Sequence, residues 1–413
     1  MSGSRPSLSP PEPLRGSEVG TFAHHSIVDR LPEIGRRMLA ENTFTSPVES
    51  RIVALLDGIP EEQIRHLSDD MAPDAAAWSN YIEPLKDQSW LQVPWFFAET
   101  YFYRRIMEAT GYFGQGSGQG SGRAIDPFAY QKDKGMATSR EAINALSERV
   151  EATIANGALD GQMLANLLRI DLWSNQADLS LWPVGSESDP AHGDEDQKQA
   201  HILVDETTNV VEYIFNIELP ARRVDFLVDN AGFELVVDLG LAVCLLKMEI
   251  AETVRLNLKA HPTFVSDATI VDVHKTAGIL ASSEHKDTAS IGARMLRYLD
   301  EGRMQLEQHF FWTSPLAMWE MPDEVRQDLT HSTLIISKGD ANYRRLLGDR
   351  HWPFTTPFVD ILAYLPTPMA ALRTLKSEVA SGLSQGQPES TARQDSRWLT
   401  NGKWGVIQFS HPS

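Results

Sequence analysis

From about residue 200 onward the chain changes its rhythm, and that change limits the folds open to it. Val224–Val228 (VDFLV), Leu256–Ala260 and Thr333–Ile336 (TLII) are short apolar runs of strand type. Around them, Gly232–Leu246, Ile270–Ser282, Ile291–Leu299 and Tyr343–Leu347 read as helices. The first of these is apolar nearly throughout, which implies burial on all sides. Strand–helix alternation predicts a three-layer α/β domain with a mostly parallel sheet. In such sheets ligands bind beyond the carboxyl ends of the strands.

The first half reads differently. From Thr21 to Leu181, segments such as Val48–Leu56, Pro94–Ala109, Ser139–Ala155 and Leu159–Leu172 carry apolar residues at three- and four-residue spacing, with little β-branched alternation. The pattern predicts a helical domain over residues 21–183, followed by an acidic linker at 184–199 (VGSESDPAHGDEDQKQ) and the α/β domain over 200–413. Residues 1–20, rich in Pro and Ser, read as a disordered tail without the apolar stretch of a signal peptide. Gly114–Gly122 (GQGSGQGSG) reads as a flexible surface loop. No apolar strand precedes it and no Lys-Ser/Thr follows, as a phosphate-binding glycine loop requires.

Charge and cysteine content narrow the function. With 56 acids against 37 Lys and Arg, the formal net charge is −19. Such a chain repels polyanions, so neither nucleic acid nor an anionic membrane surface is expected as a partner. A small anionic substrate would need a local group of Lys and Arg. The single cysteine, Cys244, lies in an apolar run and reads as buried and inert; it allows no intramolecular disulfide and no Cys-based zinc site. The expected compartment is the cytoplasm, with the nucleus left open.

The strand ends carry the chemistry. The first run leads into Asp229-Asn230-Ala231-Gly232, the second into a stretch ending at Asp267, and the third into Lys338-Gly339-Asp340-Ala341-Asn342-Tyr343-Arg344. Oxygen donors from Asp and Asn suit divalent cations such as Mg and Mn. Lys338 and Arg344 could hold phosphate charge. The plainer reading is that Asp and Asn after strands form turns or cap helices.

Several ordered blocks then match a known family. VDFLVDNAGFELVVDLGLA, PTFVSDATIVD, IISKGDANYRRLLGDRHWP and LPTPMAALRTLKSEVASGL resemble the signature blocks of the damage-control phosphatases. Arg373-Thr374-Leu375-Lys376 matches the RTxK motif of subfamily III, and blocks around Glu99, Asp126 and Trp173 resemble its N-terminal half. The resemblance implies a helical N-terminal domain packed on a Rossmann-like α/β domain. It also implies hydrolysis of small phosphate esters, sugar phosphates such as fructose 1-phosphate among them, with a divalent cation (Mn, Co, Ni or Mg). Carried over by position, Asp229, Asn230 and Asp267 would ligate the cation and act in catalysis. Glu234 would touch substrate, Asp340 to Arg344 would form a substrate loop, and Lys376 would contact the phosphate or sugar.

Ser174, where Gly is common, and His261-Pro262-Thr263 depart from the pattern and bear on substrate details. Arg373 and Lys376 read as one face of a helix, while Asn175 and Asp178 could face a cleft between domains. The nucleophile stays open between water on the cation and the Asp229 carboxylate. Two rivals are a protein carboxyl methyltransferase using S-adenosylmethionine and a non-catalytic interaction protein. Against the first, Val236–Ala242 has a single glycine and lies in a predicted helix.

Overall fold

The structure, a computed structural model, describes residues 6–114, 125–156, 160–174, 200–217 and 222–412. The acidic stretch, Asn175, Asp178 and the glycine–serine run after Gly114 lie outside these. Seven strands form one sheet: β1 (Ile202–Asp205), β2 (Arg223–Leu227), β3 (Thr253–Lys259), β4 (Met304–His309), β5 (Leu334–Lys338), β6 (Met369–Thr374) and β7 (Gly405–Ser410). Their spatial order is β1-β7-β6-β5-β2-β3-β4. The five strands from β6 to β4 are mutually parallel, β7 runs antiparallel to β6, and β1 is parallel to β7. Val224 of β2 registers with both Val254 of β3 and Leu334 of β5. From β2 the chain winds outward to β3 and β4; from β5 it winds the other way to β6. The winding reverses between β2 and β5, and a crevice opens at such a point.

Period-two alternation in the strands divides the core. Leu227, Ile335, Met369 and Val406 face one side; Phe226, Ile336, Ala370 and Ile407 face the other. The first side is covered by the helices α1 (Leu31–Glu41), α2 (Ser46–Gly58) and α3 (Trp95–Thr110). The second is covered by α4 (Arg140–Ala155), α5 (Gly161–Trp173), α6 (Thr207–Asn216), α7 (Phe233–Lys247), α8 (Ile270–Ala281) and α9 (Lys286–Asp300). Packed against the sheet, α4 and α5, α7 is buried from Phe233 to Leu246, as its uniform apolarity predicts. A further helix, α10 (Gly339–Leu347), follows β5.

Three expectations are corrected. First, α4 and α5, assigned to a helical domain ending at 183, share one core with α7 and the sheet; their apolar stripes could not say which partner they bury against. Second, the stretch expected as a disordered tail is tied to the core around Leu14. Leu14 is buried, its N–H donates to the Asp349 carbonyl (3.0 Å), and its own carbonyl accepts from Trp95 N–H (2.8 Å). Main-chain bonding holds this segment, a stabilisation that composition does not report. Third, Arg373 lies in strand β6, with Lys376 in the loop after it. Ala and Leu there favour a helix locally, but sheet pairing with β5 and β7 overrides that preference. No helix among the described residues is long and apolar enough to cross a membrane.

The close approach of α8 and α9 supplies a test. A Cβ on Gly292 would fall 2.1 Å from Ala281 N, in the backbone of the neighbouring helix end. Gly292→Ala should therefore destabilise by about 1–3 kcal/mol through overpacking. Gly278→Ala, where nothing lies within 4 Å, should stabilise by roughly 0.5–1 kcal/mol. Denaturant unfolding of both variants measures the contrast.

Candidate active site

The crevice between β2 and β5 is built by three tight turns. After β2 the chain passes through Asp229 and Asn230 and enters α7 at Gly232, whose φ of 79° suits glycine. After β3 a loop folds back so that Asn230 and Asp267 form an isolated β-bridge. Ala231 N–H donates to the Ser266 carbonyl (2.7 Å) and Ala268 N–H to the Asp229 carbonyl (2.8 Å). Phe264 (φ 47°) and Val265 (φ 70°) hold left-handed conformations in that loop, strain that the surrounding packing must maintain. Phe264 is held against Phe96 and Tyr103. After β5, Gly339 has φ 79°, and a Cβ there would lie 1.8 Å from Asp229 Oδ2. A glycine at this position is what lets the Asp229 carboxylate rest on the next turn.

Asp229, Asn230 and Asp267 thus meet in one wall of a cleft of about 360 Å³. Asp229 is 5% exposed and Asp267 1%. Asn230 Nδ2 donates to Asp229 Oδ2 and to Glu234 Oε2, both at 2.8 Å, while its Oδ1 accepts from Ser266 Oγ (2.5 Å). Asp229 Oδ1 has no hydrogen bond. Asp267 Oδ2 has the Lys259 ammonium 3.2 Å away but out of hydrogen-bond alignment. Burial pushes the Asp267 carboxyl up to about 6, with Lys259 opposing the rise. Asp229 is raised well above the usual carboxylate range by burial, then by the negative charges of Asp267 and Glu234.

Two buried acids that repel each other, each with an oxygen lacking a donor, beside an amide oxygen, fit a divalent cation with oxygen preference. Among the described residues no group of three or more His, Cys, Asp and Glu is placed to hold a metal; this set has two acids and an amide.

The cleft is also lined by Asp340, Ala341, Arg344 and Lys376. Asp340 is fixed by Arg373 Nε (2.8 Å), Ser377 Oγ (3.0 Å) and Lys376 N–H (3.1 Å), and Arg373 holds its carboxyl below the usual range despite burial. Arg344 lies 3.6 Å over the Trp95 ring and is paired with Glu99 and Asp349.

The remaining expected residues stand elsewhere. Lys338, expected to hold phosphate, does not line the cleft; it is 1% exposed and surrounded by Asp171, Asp238 and Glu234. Glu234, expected to touch substrate, lies behind Asn230. Asn342 spends its amide on the carbonyls of Leu227, Val228 and Lys338, and Tyr343 bonds Gln408 and stacks on Phe358. On α10 only one helical face reaches the cleft, and Asn342 and Tyr343 are on the other.

Sequence reasoning missed Arg30, Trp95, Ser266, Thr400 and Asn401, all lining the cleft, and Lys259 beneath it. Lys259 had a usable signal, since it ends β3 as Lys338 ends β5. Ser266 stands beside Asp267 in the same loop, whereas Arg30, Trp95, Thr400 and Asn401 are brought in by distant segments and had none. Val236–Ala242 lies wholly within buried α7, away from any turn that could meet a cofactor.

The profile of the damage-control phosphatase ARMT1-like domain matches residues 26–391. Damage-control phosphatase ARMT1 of Danio rerio is 33% identical over 447 aligned residues, 98% of each chain. The Homo sapiens protein of that name is 32% identical over 453, covering 97% of this chain and 99% of its own. A solved DUF89 family protein from Pyrococcus horikoshii aligns over 92% of this chain and 95% of its own, with 13% identity and a TM-score of 0.46.

The contact between Gly339 and Asp229 is open to test. Gly339→Ala should lower stability by about 1–3 kcal/mol, from the left-handed backbone and the displaced carboxylate together. Thermal unfolding of this variant at wild-type stability would refute the packing described.

Proposed function

The chain belongs to the ARMT1-like damage-control phosphatases, and from that membership we propose that its cleft hydrolyses small phosphate monoesters, sugar phosphates such as fructose 1-phosphate among them, with a divalent cation held by Asp229, Asn230 and Asp267. The carrying observation is the pair of buried, mutually repelling carboxylates with donor-less oxygens at the cleft wall. Bound there, a Mn, Co, Ni or Mg ion would supply Lewis-acid polarisation of the phosphoryl group and relief of that repulsion.

The chain's own groups do the rest. Lys376 and Arg344 present positive charge to a phosphoryl group whose negative charge shifts during transfer. Arg344 is fixed in place by Glu99, Asp349 and Trp95, so little ordering is needed when substrate arrives. Asp340 and Asn401 offer polar atoms suited to sugar hydroxyls. In the overall reaction the ester P–O bond breaks, the alcohol leaves with a proton, and water supplies the new oxygen on phosphorus. The lone, buried Cys244 fits a reducing compartment, and we place the activity in the cytoplasm.

Phosphate release from an aryl phosphate and a sugar phosphate panel should vanish with chelator and return with added Mn, Co, Ni or Mg. Asp229→Ala and Asp267→Ala should each lower kcat by at least about 100-fold. Wild-type turnover in either variant, or turnover indifferent to chelator, would falsify the assignment.

A further inference from the structure

Behind the cleft lies a charged group that forms none of its surface. The Lys338 ammonium sits 2.6 Å from Asp171 Oδ1, 3.1 Å from Asp238 Oδ1 and 3.5 Å from Glu234 Oε1. It also donates to the Asp171 carbonyl at 3.1 Å. Lys338 is 1% exposed, while Asp171 and Asp238 are fully buried. Glu234 and Asp238 are one turn apart on α7, so they share a face. Asp171 arrives from the end of α5. Two helices and a strand therefore converge on one cation.

The far end of this group touches the site. Glu234 Oε1 faces Lys338, and Oε2 accepts from Asn230 Nδ2 at 2.8 Å. A side-chain amide has one donor end and one acceptor end. Both acceptors at Nδ2, from Glu234 and Asp229, are carboxylates, so only one orientation of the Asn230 amide is satisfied. That orientation sends Oδ1 to the side of Ser266, which also lines the cleft. Without a buried ammonium, Glu234 would face two buried acids across a few ångströms, and the end of its carboxylate opposite Asn230 would lose the cation that now holds it.

We propose that Lys338, gripped by Asp171 and Asp238, is a positioning residue that fixes Glu234 and, through Glu234, the Asn230 amide for cation binding. The inference rests on the reading of the cleft given above. It differs from a phosphate-binding role for Lys338, because it places the effect on cation affinity and not on substrate. It also differs from simple bracing of β5 against α5 and α7, which would leave cation affinity alone.

The test uses the full chain, with Mn²⁺ binding followed by calorimetry and aryl phosphate hydrolysis measured beside it. Lys338→Met removes the anchor. Glu234→Gln removes no volume, but its amide must present a donor either to Lys338 or to Asn230, so one bond is lost. In the double variant the donor end can turn toward the Asp171 and Asp238 carboxylates that the ammonium had held, and the oxygen can return to Asn230. Each single variant should weaken Mn²⁺ binding at least about 10-fold. KM for aryl phosphate at saturating Mn²⁺ should stay within about 2-fold. The double variant should recover most of the affinity.

Folded single variants that bind Mn²⁺ like wild type, or a double variant no better than the singles, would reduce the network to bracing and overturn the proposal. A raised KM with unchanged Mn²⁺ affinity in Lys338→Met would also overturn it, in favour of direct substrate contact. Should Lys338→Met not fold, Glu234→Gln decides by the same criterion. Wild-type protein that binds no Mn²⁺ would sink the cation reading itself, and this inference with it, so the two failures are told apart.

Discussion

Bringing Asp229 and Asp267 into one buried corner is the costly act around which this structure is arranged. Each carboxylate taken from water costs several kcal/mol, and two side by side repel. The fold spends its backbone hydrogen bonds to hold them there. The Asn230–Asp267 bridge, the Ala268 N–H to Asp229 carbonyl bond and the left-handed Phe264 and Val265 leave the second acid no retreat from the first. Gly339 completes the enclosure, since any side chain there would occupy the space of the Asp229 carboxylate.

Compensation for that charge is placed in layers. Lys259 lies beneath Asp267 and also donates to Asn342 (3.1 Å), tying β3 to α10. Behind Asn230, Lys338 serves three acids. Burial raises the carboxyls of Asp171 and Asp238, and the Lys338 ammonium between them opposes the rise. On the cleft's other wall Arg344 and Arg373 are each locked to buried acids. Arg344, which lines the cleft, is therefore held in place, and such preorganisation is what electrostatic stabilisation of a phosphoryl group demands.

The N-terminal half contributes more than cover. Leu14 bonds the Asp349 backbone and Trp95, and Asp349 and Trp95 both hold Arg344. Glu99, on α3, reaches Arg344 from the opposite face of the sheet to α7. The cleft is thus a product of both cores, and a boundary at residue 183 would cut through one of them.

Much of this was legible in the chain itself. The strands β2, β3 and β5, and the placement of Asp229, Asn230, Asp267 and Asp340 at their carboxyl ends, follow from apolar runs and turn residues, which act locally. So does the burial of α7, because a helix without a polar face must be covered. Strands β1, β4, β6 and β7 were not legible: β1 and β4 are half-buried runs with weak alternation, and β6 and β7, buried nearly throughout, owe their strand form to pairing with neighbours. Nor could spacing tell that Lys338 turns into the core while Lys376 faces the cleft. A lone strand has two equivalent faces, and which one meets solvent is decided only when helices pack against the sheet. The sequence by itself determined which chemical groups stand at the strand ends. Tertiary packing alone decided which of them share a cleft and which brace it, because burial and the pairing of charges depend on segments far apart in the chain.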